Sequence, residues 1–131
     1  MKERSAEECI QRILRDIEKR RDMEQSMDYG DRNAVRRYNA AMERIYSNAH
    51  YLGEHYPDEI YLLVDLANSP DMKISICCAH ILYRVTNATV EHKRIALSVL
   101  KKQVNNPEVP ELTRFGICAN VEQWEAELGK M

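Results

Sequence analysis

Between Ile60 and Val85 the chain reads as a helix, an abrupt stop and a second helix. Ile60, Leu63, Val64 and Ala67 recur at helical spacing, Asn68-Ser69-Pro70-Asp71 interrupts them, and Ile74, Cys78, Ile81, Leu82 and Val85 resume the pattern. Each helix carries an apolar face too large to leave in water, so the pair must pack on something similar. Such hairpins stack side by side in helical repeats, an architecture used mainly for binding.

The same period organises the rest of the chain. Ser5-Ala6-Glu7-Glu8 has the spacing of a capping box, and Cys9, Ile10, Ile13, Leu14 and Ile17 follow on one face. Beyond Ile17 that face turns polar, which sets residues 1–30 apart as an N-terminal helix and linker, with the main domain over 31–131. Asp31 is placed to cap the next helix, whose inner face is Val35, Tyr38, Met42, Ile45, Tyr46, Ala49 and Leu52. Gly53 is positioned to stop it. A third helix is expected over about 58–68 and a fourth over about 72–87. Thr89 caps a fifth and Pro110 opens a sixth. The sixth has two apolar stripes: Leu112, Phe115 and Ala119 on one side, and Ile117, Val121, Trp124 and Leu128 well round from it. Such a helix is sandwiched between neighbours or carries a contact of its own. No window favours a strand. The expected fold is therefore all-α, with five to six helices in antiparallel hairpins.

Composition narrows the function classes. The 131 residues suffice for one domain with a core that needs no staple. Net charge is -2 with the signs interspersed, which argues against a general drive towards nucleic acid or an anionic membrane. No segment approaches the ~20 apolar residues of a membrane span. Met1-Lys2-Glu3-Arg4 is charged with no apolar run behind it, unlike a secretory signal. The four cysteines (Cys9, Cys77, Cys78 and Cys118) form no CxxC, so a reduced, cytoplasmic protein is expected.

Along Leu63-x-x-Leu66-x-x-Ser69-Pro70-Asp71-x-x-Ile74-x-x-x-Cys78-Ala79-x-x-Leu82 the chain resembles a HEAT-type helical repeat. With Arg37-Tyr38-Asn39 and Trp124 added, residues 31–128 resemble the uncharacterised bacterial family catalogued as domain of unknown function 2019. The resemblance implies a short, right-handed HEAT- or armadillo-like stack and no established activity. Ile74-Ser75 departs from the branched residue followed by Arg that many such repeats carry, which speaks against a basic groove on that helix. Small stacks of this kind are similar in architecture to some immunity proteins that neutralise bacterial toxins.

Residues able to carry chemistry are scattered. His50, His55, His80 and His92 complete no metal-ligand pattern, and Cys77 with His80 supplies only half a zinc site. Cys77 and Cys78 sit in an apolar helix without an activating base. Asp58 and Glu59 are explained by a helix start. Phosphate loops, GxSxG and HExxH are absent. No catalytic residue, metal or cofactor is therefore assigned, and the chain reads as a non-catalytic protein-binding domain. The alternative is a nucleic-acid-binding HEAT-like protein, which would need a contiguous Lys/Arg surface. Opposite the core stripe of the fourth helix lie Ile76, His80, Tyr83 and Asn87, close to one line at i, i+4, i+7 and i+11. Aromatic residues with a polar handle are common at binding hot spots, so this line is the expected protein-binding surface. The competing reading packs the line on the second or sixth helix. A homo-oligomer would form through the Ile117, Val121, Trp124 and Leu128 stripe.

Overall fold

The computed structural model describes residues 4–130. Met1-Lys2-Glu3, the charged opening set against a secretory signal, lies outside the described residues, as does Met131. The described chain is all helical, without a strand: α1 (Ala6–Gln25), α2 (Arg32–His55), α3 (Tyr61–Ala67), α4 (Met72–Arg84), α5 (Val90–Val104) and α6 (Glu111–Gly129), with a single 3-10 turn at Pro57–Glu59. It forms two compact units. The first holds the residues up to Glu59 together with Val85–Asn87; the second holds Ile60–Arg84 and the residues from Ala88 on. The expected boundary near residue 30 thus moves to Glu59. Residues 4–25 are no separate extension, because α1 packs along α2 within the first unit.

In the first unit the caps follow the sequence. The Ser5 hydroxyl accepts from the Glu8 amide, and the Asp31 carboxylate accepts from the Asn33 and Ala34 amides. The two helices bury Cys9, Ile13 and Ile17 against Ala41, Ile45, Ala49 and Leu52. Asp16 is buried among them, and Arg44 holds it with Nε at 3.1 Å and Nη2 at 3.0 Å from one carboxylate oxygen. Arg4 ties the chain to α2: its guanidinium donates to Asn48 Oδ1 at 2.9 Å, and its carbonyl accepts from the Tyr56 hydroxyl at 2.6 Å.

Gly53 does not end α2, which runs on to His55. Its role is close approach. A Cβ there would sit 2.0 Å from the Thr86 carbonyl oxygen and 2.8 Å from Val85. The Gly53 carbonyl accepts from Asn87 Nδ2 at 3.1 Å, while His50 Nδ1 lies 2.9 Å from the Thr86 hydroxyl.

In the second unit α4 packs on α3 and α5, and α5 packs on α6. Ile60, Leu63, Cys78, Ile81, Leu82, Ala96, Leu100 and Ile117 are the innermost side chains of this core. Asp71 caps α4 by accepting from the Lys73 and Ile74 amides. Ser75, where the HEAT-like pattern departs from Arg, is buried. Its hydroxyl donates to the Ala67 carbonyl at 2.7 Å and accepts from Gln103 at 3.2 Å, so it closes the end of α3 from inside. Thr89 caps α5 in a full capping box whose returning arm is His92.

Candidate interaction surface

The expected surface line is divided by the fold. Tyr83 points inward: only 5% of it is exposed, and its ring lies flat on Trp124 of α6, centroids 4.1 Å apart. Its hydroxyl proton is shared between Glu127 Oε2 at 3.0 Å and the Trp124 carbonyl at 3.2 Å. Burial first, then the bond to Glu127, pushes the phenol up to about 12, so at neutral pH Tyr83 is a protonated donor. The Lys93 ammonium sits 5.2 Å from the same ring.

His80 is half-buried one turn earlier. Its Nδ1 donates to the Ile76 carbonyl at 2.8 Å, and its ring meets Trp124 edge-on at 5.7 Å. Burial is the largest influence on this imidazole and favours the neutral form, Arg84 adds to it, and the bond to Ile76 opposes it. Ile76 is half-buried. Asn87 leaves the line altogether. The helix stops at Arg84, Asn87 takes a positive φ of 67°, and its amide serves Gly53 in the first unit. His80 and Tyr83 therefore pack on the sixth helix, because the Trp124 indole needs a flat partner and Tyr83 supplies it. No sequence signal announced Glu127 or Lys93 as partners of Tyr83.

The cysteines are core residues except one. Cys9, Cys77 and Cys78 are buried, Cys118 is exposed, and none of the four is in a disulfide. Burial raises the thiols of Cys9 and Cys78 above their ordinary value, with Cys77 adding to the effect at Cys78. Among the described residues no three His, Cys, Asp or Glu side chains cluster in a way that could hold a metal ion. Among the described residues no helix is long and apolar enough to cross a membrane.

The two stripes of α6 have opposite fates. Ile117 and Trp124 are buried, with Val121 and Leu128 partly covered, so this stripe belongs to the core of the second unit and is not available as an oligomer face. Leu112 is 85% exposed, Phe115 is 62% exposed, and Gly116, Cys118 and Ala119 are exposed beside them. The only charged residue from Leu112 to Val121 is Arg114, which turns back to donate to the Asn106 and Val109 carbonyls. The outer face of this half-helix is left uncharged and apolar.

In the first unit a second feature stands on the outer face of α2. An open groove of about 530 Å³ is lined by Tyr29, Arg32, Val35, Arg36, Asn39 and Glu43, among others. Tyr29 is 80% exposed, and both arginines are exposed.

Compared with known proteins, the chain matches no family model, no curated protein and no solved structure.

Proposed function

We propose that the chain is a non-catalytic protein-binding helical domain that engages its partner through the outer face of α6. The observation that carries this reading is the pair Leu112 and Phe115, large apolar side chains held in water on a helix whose other stripe is already satisfied. Scattered apolar side chains are ordinary on a surface; a neighbouring pair beside exposed small residues is what a binding face looks like before it is covered. HEAT-like stacking belongs to the same proposal, supported by the α3–α4 hairpin and its Asp71 cap. So does a cytoplasmic location, supported by four cysteines that form no disulfide. Neutralising a bacterial toxin is its concrete cellular version.

Capture of partners from the native cell with wild type and with Phe115→Glu tests the reading. A protein recovered by wild type and lost with the variant supports it, and rescue of toxicity from a neighbouring gene product would support the toxin version. Identical recoveries from the two would sink the α6 face.

A nucleic-acid reading is favoured by one observation, the exposed Tyr29 beside Arg32 and Arg36 in the groove on α2. An aromatic platform with two guanidinium groups suits a stacked base and its phosphate. Glu43 in the same groove opposes it. Salt-dependent binding of a short single strand that Arg32→Glu with Arg36→Glu abolishes would establish this reading; no binding at low salt rejects it.

A further inference from the structure

We infer that the groove on the outer face of α2 is a second binding site, which takes an extended protein segment with two acidic residues followed by a basic one. The site lies within the first unit, on other residues than the α6 face. Two of its charges are not explained by folding. Arg32 stands in the first turn of α2, which holds no acidic residue, and Arg36 follows one turn later. A cation at a helix N-terminus opposes the dipole, and like charges four apart repel. Both side chains are exposed, and neither hydrogen-bonds or ion-pairs with another described residue. The acids nearest in sequence are occupied by the backbone: Asp28 accepts from the Gly30 amide at 2.9 Å, and Asp31 accepts from the Asn33 and Ala34 amides. An anionic ligand would relieve the arginine pair.

The remaining lining selects the kind of anion. Half-buried Val35 and Ala40 and exposed Tyr29 give the groove apolar surface. Beyond Arg36 the sign changes. Glu43 lies two turns further along the same lining, about 10 Å on at a rise of 1.5 Å per residue, and it too is exposed without a partner among the described residues. A nucleic-acid strand that fills the groove carries a phosphate at every nucleotide and would set one against Glu43. A peptide can match the change of sign. Two carboxylates pair with Arg32 and Arg36, an apolar side chain lies on Val35 and Ala40, and a lysine meets Glu43. At about 3.3 Å per extended residue, about six residues cover the ~16 Å from Arg32 to Glu43.

Fluorescence anisotropy of two labelled peptides, titrated with the full chain up to millimolar protein, reads this directly. One is Asp-Ala-Asp-Leu-Ala-Lys; the other ends in Asp and is wholly acidic. Wild type should prefer the lysine-ended peptide by about fivefold, and Glu43→Lys should invert that preference. Arg32→Glu with Arg36→Glu should weaken both peptides by about tenfold, with the helical spectrum of the wild type. Equal binding of the two peptides by wild type, a preference that Glu43→Lys leaves in place, or no binding of either overturns the proposal. Tighter binding of a short oligothymidylate than of either peptide assigns the groove to nucleic acid and overturns it too.

Discussion

Tyr83 and Trp124 lie ring on ring, their centroids 4.1 Å apart and their planes 5° from parallel. This pair joins α4 to α6 and decides which stripe of α6 is inside. Stacked aromatic pairs contribute about 0.5–1.5 kcal/mol beyond the area they bury. Trp124→Ala should therefore destabilise the protein by about 3–5 kcal/mol in denaturant unfolding. Tyr83→Phe keeps the stack and loses only the hydroxyl bond, so a cost of about 1 kcal/mol is expected. Equal costs for the two would contradict the stack as the main term.

Gly53 offers a test in the opposite direction from propensity. Alanine is the better helix former by about 1 kcal/mol. At Gly53, however, the added methyl would stand 2.0 Å from the Thr86 carbonyl oxygen, a backbone atom with little freedom to yield. Gly53→Ala should lose about 1–3 kcal/mol of stability, as overpacked sites do. Gly116→Ala adds the same methyl in open space and should gain up to about 1 kcal/mol. Thermal melts of the two variants measure the contrast.

Asp16 is buried and its carboxylate is held by Arg44, which is half exposed. Removing the guanidinium leaves an anion facing apolar neighbours. Because water can enter where the arginine was, Arg44→Ala should cost about 1–3 kcal/mol, less than the loss of a fully buried pair. A double-mutant cycle with Asp16→Asn should show strong coupling between the two positions.

His80 makes stability depend on pH. Burial lowers its folded-state value below the ordinary 6.5, so between those two values the unfolded chain binds more protons than the folded one. The neutral ring's contribution is complete above the ordinary value. It falls away as pH drops through that value towards the lowered one. His80→Gln should remove this part of the acid sensitivity. Unfolding midpoints of wild type and variant, compared from about pH 8 down to about pH 5, should converge on acidification. Parallel curves would show that His80 titrates alike in both states.

The helices were legible in the sequence because each buries a stripe set by near neighbours. Ile13 and Ile17, Ile45 and Ala49, and Cys78 and Leu82 all follow the helical period. Caps were legible for the same reason, since Ser5, Asp31 and Thr89 act within three residues. What the local pattern could not carry was the choice of partners. Both stripes of α6 have apolar period, and Trp124 rather than Leu112 is covered because Tyr83, 41 positions away, meets it. Asn87 extends the α4 line only if the helix continues past Arg84. The positive φ at Asn87 and its bond to Gly53 show where the chain departs instead. The packing role of Gly53 was hidden in the same way, because its close neighbour Thr86 lies far along the sequence.

Paired surface substitutions test the α6 face most directly. Phe115→Glu places a charge on the exposed apolar face of α6, and Tyr61→Glu does the same at an exposed aromatic residue of α3. Capture of partners from the native cell should lose the bound protein with Phe115→Glu and keep it with Tyr61→Glu, both variants having the helical spectrum of the wild type. Retention with Phe115→Glu, or equal loss with both, would contradict the α6 face as the binding surface.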